Sequence, residues 1–237
     1  MSGVTNNDNY SGLEELKNTE LMKNYNTSIV SEALIGHDGT SEVIDFGAGI
    51  GTLANILRED FNKNVKCVEI DPTGQKELKN RGFEVYEHIS GVPAGVELIF
   101  SSNVLEHIQN DEKILAELVN RLQIGGHIFL YLPAKMFLWS ELDVNVGHFR
   151  RYEITGLKTK CIENGLLIKR IHYADCLGFF ASLCMKIFGY NKSNGIGSPK
   201  SLLFYDKFIF PVSRMLDKLG AKWIVGKNIV VLCQRIR

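Results

Sequence analysis

The chain has 237 residues, of which 45% are hydrophobic, so it is long enough to bury the core of one α/β domain with an elaboration. Lysine plus arginine equals aspartate plus glutamate, at 27 each, and this balance gives no electrostatic indication of a nucleic-acid partner. The five cysteines are scattered without a C-x-x-C pair, which argues against a zinc site and favours reduced thiols in a cytoplasmic protein. We expect no metal.

The first 35 residues divide into a tail and a helical segment. Residues 1–11 are polar and predict a flexible tail, without the basic start and apolar core of a signal peptide. Residues 12–35 place apolar side chains at helical intervals and predict an N-terminal helical cap. No run of about 18 apolar residues occurs anywhere in the chain, so we expect no transmembrane segment.

The most informative stretch is a strand, a glycine-rich turn and a helix. Apolar residues at 42–46 predict the strand, and the periodic ones at 52–61 predict the helix. Such an arrangement points free backbone N–H groups and the positive end of a helix at a ligand. Gly47, Gly49 and Gly51 lack a Cβ atom, so a ligand can lie against the backbone between the two elements.

The spacing of this turn discriminates between ligands. A dinucleotide-binding turn reads G-x-G-x-x-G, whereas here Thr52 stands where the third glycine would be. Asp45, just before the turn, would repel a pyrophosphate but attract an ammonium group. Glu69 ends the next apolar run, at roughly the 20-residue separation at which a carboxylate meets ribose hydroxyls. A ligand with a ribose, a cationic amino-acid end and no phosphate fits this pair, and S-adenosylmethionine is such a ligand.

Four motifs in the same order resemble the class I S-adenosylmethionine-dependent methyltransferases: the glycine turn at 45–51, Glu69, Asn103–Ile108 and Leu122–His127. The resemblance covers roughly residues 20 to 175. It implies an α/β, Rossmann-like three-layer sandwich with a seven-stranded, mostly parallel sheet whose last strand is antiparallel. It also implies S-adenosylmethionine as the cofactor and S-adenosylhomocysteine as the product.

By the same resemblance, the cofactor is expected at the carboxyl ends of the first, second and fourth strands. Many relatives place an aspartate after the third strand to bind the adenine amino group, and this chain has Glu87-His88-Ile89 there. The side chains of Glu87 and His88 and the backbone of Ile89 are therefore alternative adenine contacts. The expected cofactor-binding residues are Asp45, Gly47, Ala48, Gly49, Gly51, Glu69, Ile70, His88, Ile89 and Asn103.

The remaining periodicity predicts the rest of a single domain, 1–237, with a cofactor-binding core at 36–173. Residues 174–223 predict an apolar helical insert, which could be a substrate cap, core, a membrane-binding surface or a subunit interface. Residues 224–237 contain the last strand. The predicted strands are 65–70, 83–86, 97–100, 127–132, 166–173 and 228–234, and the predicted helices are 72–80, 111–122 and 153–164.

Residues 133–152 form a long connection that starts at the carboxyl end of the fifth predicted strand, where loops of this length are usually functional. His148 in this loop is the first candidate for a catalytic base, and His107 is the second. Holding the loop in place is the alternative for His107, and helix packing is the alternative for Tyr25. Each arginine either grips an anionic group of the acceptor or pairs with Asp143 or Glu106. The candidate substrate-binding residues are Tyr25, Trp139, Arg150, Arg151 and Tyr152.

The sequence therefore predicts methyl transfer to an oxygen or nitrogen of a small, lipid-like or glycan-like acceptor. Gly147–Tyr152 resembles a stretch in bacterial methyltransferases encoded with glycan or natural-product genes. A protein or RNA methyltransferase, a nucleotide-dependent oxidoreductase and a non-catalytic scaffold are the alternatives. We expect a small-molecule acceptor and no nucleic-acid partner, and leave open peripheral membrane contact and whether the protein is a monomer or a homodimer.

Overall fold

A computed structural model describes residues 16–36, 39, 42–188 and 198–237. The strands are β1 (Glu42–Phe46), β2 (Asn64–Val68), β3 (Glu84–Tyr86), β4 (Val96–Ser102), β5 (Leu122–Pro133), β6 (Leu166–Ala174) and β7 (Asn228–Arg235). The helices are α1 (Lys23–Leu34), α2 (Thr52–Glu59), α3 (Pro72–Asn80), α4 (Asp111–Arg121), α5 (Glu141–Asn145), α6 (Ile154–Glu163), α7 (Cys176–Phe188), α8 (Pro199–Phe204) and α9 (Phe210–Lys218).

The strands form one sheet in the order β3-β2-β1-β4-β5-β7-β6. The pairs among the first five strands are parallel, and β7 runs antiparallel to both β5 and β6. The predicted sheet with one antiparallel strand is therefore confirmed. The strand order reverses between β1 and β4, and ligands of open parallel sheets bind in the crevice at such a reversal.

The sheet is covered on both faces, which is why its central strands are apolar throughout. Along β1, Ile44 and Phe46 belong to the core that the sheet forms with α4 and α6. Val43 belongs to the opposite core, formed with α1, α2 and α3. Asp45 lies between these apolar residues and is only 3% exposed. A carboxyl group is thus carried to the carboxyl end of a buried strand.

The fifth strand is longer than predicted because its glycines lie inside it. The sequence predicts a strand at 127–132, after Gly125 and Gly126, whereas β5 begins at Leu122. Val96 pairs with Leu122 while Leu98 pairs with His127, so the extra residues form an irregularity within the ladder. Gly125 has φ +84°, a conformation that other residues rarely adopt.

The insert packs against the N-terminal helix. A π-helical turn, Tyr205–Ile209, joins α8 to α9. Within that turn the buried Asp206 accepts hydrogen bonds from the backbone N–H groups of Asn24 (3.0 Å) and Tyr25 (2.8 Å) at the start of α1. The predicted tail 1–11 and residues 189–197 of the predicted insert lie outside the described residues. Among the described residues no helix is long and apolar enough to cross a membrane.

Candidate active site

The glycine turn has the backbone conformation that its residue types require. Gly47, Gly49 and Gly51 all lie in the left-handed region, with φ of +77°, +57° and +88°. A Cβ atom on Gly47 would lie 2.3 Å from a methyl carbon of Val104, so the turn and the segment after β4 approach as closely as glycine allows. Leu16 of the N-terminal segment lies on the other side, against Gly49.

The turn differs from expectation in its hydrogen bonds. The backbone N–H groups of Gly47 and Ala48 both donate to the carbonyl of Val68, and that of Gly51 donates to the carbonyl of Ala48. Gly49 N–H donates to a carboxylate oxygen of Glu69 at 2.7 Å. These four N–H groups are internally paired, so the turn offers a close-fitting surface rather than the free donors predicted from the sequence.

Two carboxyl groups flank this surface. Glu69 uses one oxygen for Gly49 and the other for the backbone N–H of Asp71, at 2.8 Å, and is thereby held at the end of β2. One oxygen of Asp45 is buried without a hydrogen-bond partner. Burial, followed by repulsion from Glu69, raises the pKa of Asp45 to about 7. A cationic ligand group beside Asp45 would satisfy this oxygen and favour its ionised form.

The other expected cofactor residues line the same edge of the sheet in different ways. Ile70 is 69% exposed at the end of β2, where a flat apolar ring could lie against it. His88 is exposed beside Glu87, whereas the side chain of Ile89 is buried in the core, so only its backbone is left for an adenine contact. Asn103 follows β4 with φ +54°, and its backbone N–H donates to the carbonyl of Tyr131.

The loop after β5 brings His148 to the segment after β4. The backbone N–H of Phe149 donates to the carbonyl of Glu106 at 2.8 Å, and this bond sets the approach of the two segments. The rings of His107 and His148 then meet edge to face, with centroids 4.6 Å apart. His148 Nε2 lies 3.8 Å from a carboxylate oxygen of Glu106. The two predicted catalytic histidines therefore lie side by side.

Asp143, expected from the sequence only as an arginine partner, orients His148. One carboxylate oxygen of Asp143 lies 2.8 Å from Nδ1 of His148 and 2.8 Å from Nε of Arg151. Burial alone would raise the pKa of Asp143, but the hydrogen bonds from His148 and Arg151 outweigh it and hold that pKa below its usual value. Because an ionised carboxylate only accepts hydrogen bonds, Nδ1 of His148 carries the proton and Nε2 faces Glu106.

Glu106 and His107 lie in surroundings that disfavour charge. Glu106 is fully buried, and this burial raises its pKa to about 8, although Arg151 lowers it in part. Partial burial of its ring, followed by the neighbouring His148, lowers the pKa of His107 to about 4. Glu106 and His107, two neighbouring groups capable of proton transfer or metal ligation, thus stand at the carboxyl edge of the sheet with their charged forms disfavoured.

The remaining candidate substrate-binding residues of the loop mostly make contacts that hold the loop in place. Arg151 is buried on Asp143, as one of the two alternatives proposed. Arg150 pairs with Asp111 at 2.6 Å, and the buried Tyr152 donates its hydroxyl proton to the same residue at 2.9 Å. In this conformation these three side chains position the loop rather than face an acceptor. Trp139 is half-buried on the same loop.

Tyr25 belongs to a polar cluster that the sequence did not indicate. The hydroxyl of Tyr131 donates to that of Tyr25 at 3.1 Å, and the side-chain amide of Asn228 donates to both at 3.0 Å. Nearby, the buried Asp175 accepts the hydroxyl proton of Tyr205 at 2.6 Å. The residues come from α1, β5, β7 and the insert, and no local sequence pattern links them.

Comparison with known proteins identifies the family and the fold. The sequence profile of a family described as a methyltransferase domain matches residues 19–168. A search of curated proteins found no significant match. A methyltransferase from Archaeoglobus fulgidus, described as dependent on S-adenosylmethionine, superposes with a TM-score of 0.58 at 13% identity, over 88% of this chain and 92% of its own.

Two further solved structures share the fold. One is the complex between the Haloferax volcanii Trm112 methyltransferase activator and a proposed methyltransferase, with a TM-score of 0.64 at 10% identity over 99% of this chain and 100% of the matched one. The other is geranyl diphosphate C-methyltransferase from Streptomyces coelicolor with Mg²⁺, geranyl diphosphate and S-adenosylhomocysteine, with a TM-score of 0.56 at 12% identity over 85% and 78%. Because the family profile spans more than half of the chain, from the N-terminal helix to β6, this chain belongs to the methyltransferase-domain family.

Proposed function

We propose that the protein uses S-adenosylmethionine to methylate an oxygen or nitrogen atom of a small acceptor with an apolar portion. The unpartnered buried oxygen of Asp45 beside the glycine turn carries this proposal. S-adenosylmethionine, when bound, supplies a methyl group on a positively charged sulfur. In our proposal Asp45 faces its ammonium group, Glu69 meets its ribose, and Ile70 with the segment 87–89 lies along its adenine.

The acceptor must lose a proton when it takes the methyl group, and the histidine cluster supports that step. Asp143 holds His148 through a hydrogen bond at Nδ1. Nε2 of His148 is therefore left to accept a proton, as in an oriented general base. His107 lies against its ring. Much of the rate can come from alignment of the acceptor with the methyl group, so His148 is expected to contribute a factor of about 10²–10⁴ rather than all of the catalysis.

The exposed face of the insert supports peripheral contact with an anionic membrane surface. Phe204, Phe208, Leu219 and Trp223 are each more than half exposed, and the described residues 198–223 carry five cations. The two acids of that stretch point inward, since Asp206 binds α1 and Asp217 accepts the backbone N–H of Asp175. Exposed apolar side chains together with cations match the apolar and anionic parts of a lipid surface. The cations are Lys200, Lys207, Arg214, Lys218 and Lys222.

Two experiments test the proposed function. Radiolabelled methyl groups of S-adenosylmethionine are traced into pairs of acceptors that differ only in having a free or an already methylated hydroxyl or amine. We expect label only in the free members, with kcat lowered at least 100-fold in His148→Ala. Label in the blocked members, or an unaltered kcat in His148→Ala, would contradict the assignment.

The membrane contact is tested by sedimentation with vesicles of phosphatidylcholine, with and without phosphatidylglycerol. We expect binding only to the anionic vesicles, and its loss in Phe204→Ser/Phe208→Ser. Ile162 on α6 is similarly exposed on the opposite side of the sheet, so Ile162→Ser is the matched control. Equal loss in the control, or no binding by the unaltered protein, would remove this part of the proposal.

A further inference from the structure

Glu106 has no partner that explains its burial. It lies in the helical turn Leu105–His107 after β4, it is fully buried, and neither carboxylate oxygen accepts a hydrogen bond. A buried carboxyl group without donors is costly, and such groups in native structures call for a specific reason. A bound cation is one such reason, because it replaces the missing donors at both oxygens.

Two histidine nitrogens meet this carboxylate. One ligand atom from each of Glu106, His107 and His148 lies within 4.8 Å of the other two. The 3.8 Å between His148 Nε2 and the nearer Glu106 oxygen is too long for a hydrogen bond. It is nevertheless shorter than the distance of about 4.2 Å that two metal–ligand bonds of about 2.1 Å can span. This pair can therefore hold an ion, and the separations of up to 4.8 Å within the cluster would need to close by less than about 1 Å around it.

The surroundings of His148 also suit a metal ligand. Histidine ligands of metals usually donate their second N–H to a carboxylate, which fixes the tautomer and turns the other nitrogen toward the ion. Asp143 performs this role, with its oxygen 2.8 Å from Nδ1. Asp143 is itself held by Arg151 and by the backbone N–H of Ser140 at 2.9 Å.

We propose that Glu106, His107 and His148 bind one divalent transition-metal ion and leave open coordination positions toward the acceptor. Two imidazoles and one carboxylate suit ions such as Mn²⁺, Fe²⁺, Co²⁺ and Zn²⁺. Glu106 is buried, His148 is half-buried and His107 is the most exposed of the three, so the open side of the site faces outward past His107. This proposal reverses the expectation from sequence that the protein has no metal.

The ion would define the acceptor more narrowly, and this step rests on the proposed function. A hydroxyl group beside a divalent ion would have a lowered pKa, so its oxygen would keep the electron pair when the proton leaves. With Nε2 of His148 bound to the ion, that proton would go to water instead of to His148. The electron pair forms the new bond to the methyl carbon, and the electrons of the broken carbon–sulfur bond stay on sulfur. Open positions on the ion favour acceptors with two neighbouring oxygen atoms, such as a vicinal diol.

The test measures metal binding without any acceptor. Protein freed of metal with a chelator is titrated calorimetrically with Mn²⁺, Co²⁺ and Zn²⁺, and the Co²⁺ form is examined by visible absorption and by proton NMR. We expect one ion per chain, with two strongly shifted, exchangeable imidazole N–H signals in the Co²⁺ form. Binding of no ion, or a Co²⁺ form without shifted imidazole signals, would overturn the proposal even if the variants below fail to fold.

Variants assign the ion to these residues. Glu106→Gln is expected to weaken binding at least 100-fold, and Asp143→Asn to weaken it about 10–100-fold through the orientation of His148. His172 on β6 lies 3.7 Å from Glu32 and offers a matched histidine–carboxylate pair outside both proposed sites, so folded His172→Gln should bind the ion as the unaltered protein does. Unweakened binding in folded Glu106→Gln, or equal weakening in folded His172→Gln, would contradict the site.

Cofactor binding separates this proposal from the one on which it rests. S-adenosylmethionine is titrated into the metal-free protein in parallel. If the protein binds the cofactor but none of the tested metal ions, the metal site is overturned and His148 remains the proposed base. Binding of metal without the cofactor would uphold the metal site and overturn the proposed methyl transfer.

Discussion

The affinity for S-adenosylmethionine is expected to rise with pH through the titration of Asp45. In the free protein the pKa of Asp45 is about 7, raised by burial and then by Glu69. The ammonium group of the cofactor favours the ionised carboxylate, so the cofactor must displace a proton from Asp45 wherever the pH lies below this pKa. Binding is therefore weakest in acid and reaches a plateau above pH 7.

The size of the effect follows from the pKa. At pH 6 about one Asp45 in eleven is ionised, so the affinity should be about tenfold below its plateau, which corresponds to about 1.4 kcal/mol. The raised pKa of Asp45 also makes the free energy of unfolding depend on pH. Because folding favours the protonated carboxyl group, its contribution to stability is present at low pH and is lost as the pH rises through 7. Asp45→Asn should therefore raise the free energy of unfolding at pH 8 while weakening cofactor binding.

The assay is calorimetric titration with S-adenosylmethionine at pH 5.5, 6.5 and 7.5, each in two buffers of different ionisation enthalpy. We expect the affinity to rise across the series and close to one proton to be released per cofactor at the lowest pH. Asp45→Asn should bind weakly with no such dependence. An affinity that does not change between pH 5.5 and 7.5, or equal proton release in the variant, would refute the reasoning.

Three further predictions concern the turn and the loop. Gly47→Ala is expected to lower the free energy of unfolding by about 2–5 kcal/mol, because alanine would be strained at this φ and would clash with Val104. Adding Val104→Ala to the same chain should restore part of this loss, as measured by urea titration. Glu69→Ala should weaken S-adenosylmethionine binding at least tenfold while circular dichroism still shows a cooperative fold, and an unchanged calorimetric affinity would remove Glu69 from the ribose. Tyr152→Phe should lower the free energy of unfolding by about 1 kcal/mol in thermal unfolding, because Asp111 loses one hydrogen bond but keeps its cationic partners. The affinity for the cofactor should not change, and a large loss of that affinity would place Tyr152 in the cofactor site instead.

The parts of the molecule that could be predicted from sequence are those fixed by neighbouring residues. The run from β1 through the glycines to α2 spans fewer than 20 residues, and its strand, turn and helix patterns are each local. The strand count and the antiparallel last strand came with the family resemblance and are confirmed. The prediction of free N–H groups at the turn was wrong, because Glu69 and Val68 lie close enough to accept hydrogen bonds from them.

The sequence predicts which histidines are candidates for catalysis, but it does not predict how they are arranged. His148 meets Glu106 through a backbone bond between segments more than 40 residues apart, and the path of the loop between them follows from that bond. The role of Asp143 depends on the short helix α5, which begins with Ser140 as its cap and turns the carboxylate toward His148. Residues of such different sequence positions give no periodic signal, so contacts of this kind appear only in the folded chain.

The central claim is that the glycine turn, Asp45 and Glu69 form a site for S-adenosylmethionine. The most direct test is isothermal calorimetry of the purified protein with S-adenosylmethionine and S-adenosylhomocysteine, with a nicotinamide dinucleotide as the control ligand. We predict micromolar binding of the first two, one per chain, and no heat from the dinucleotide. Absence of binding by both, or tighter binding of the dinucleotide, would contradict the claim.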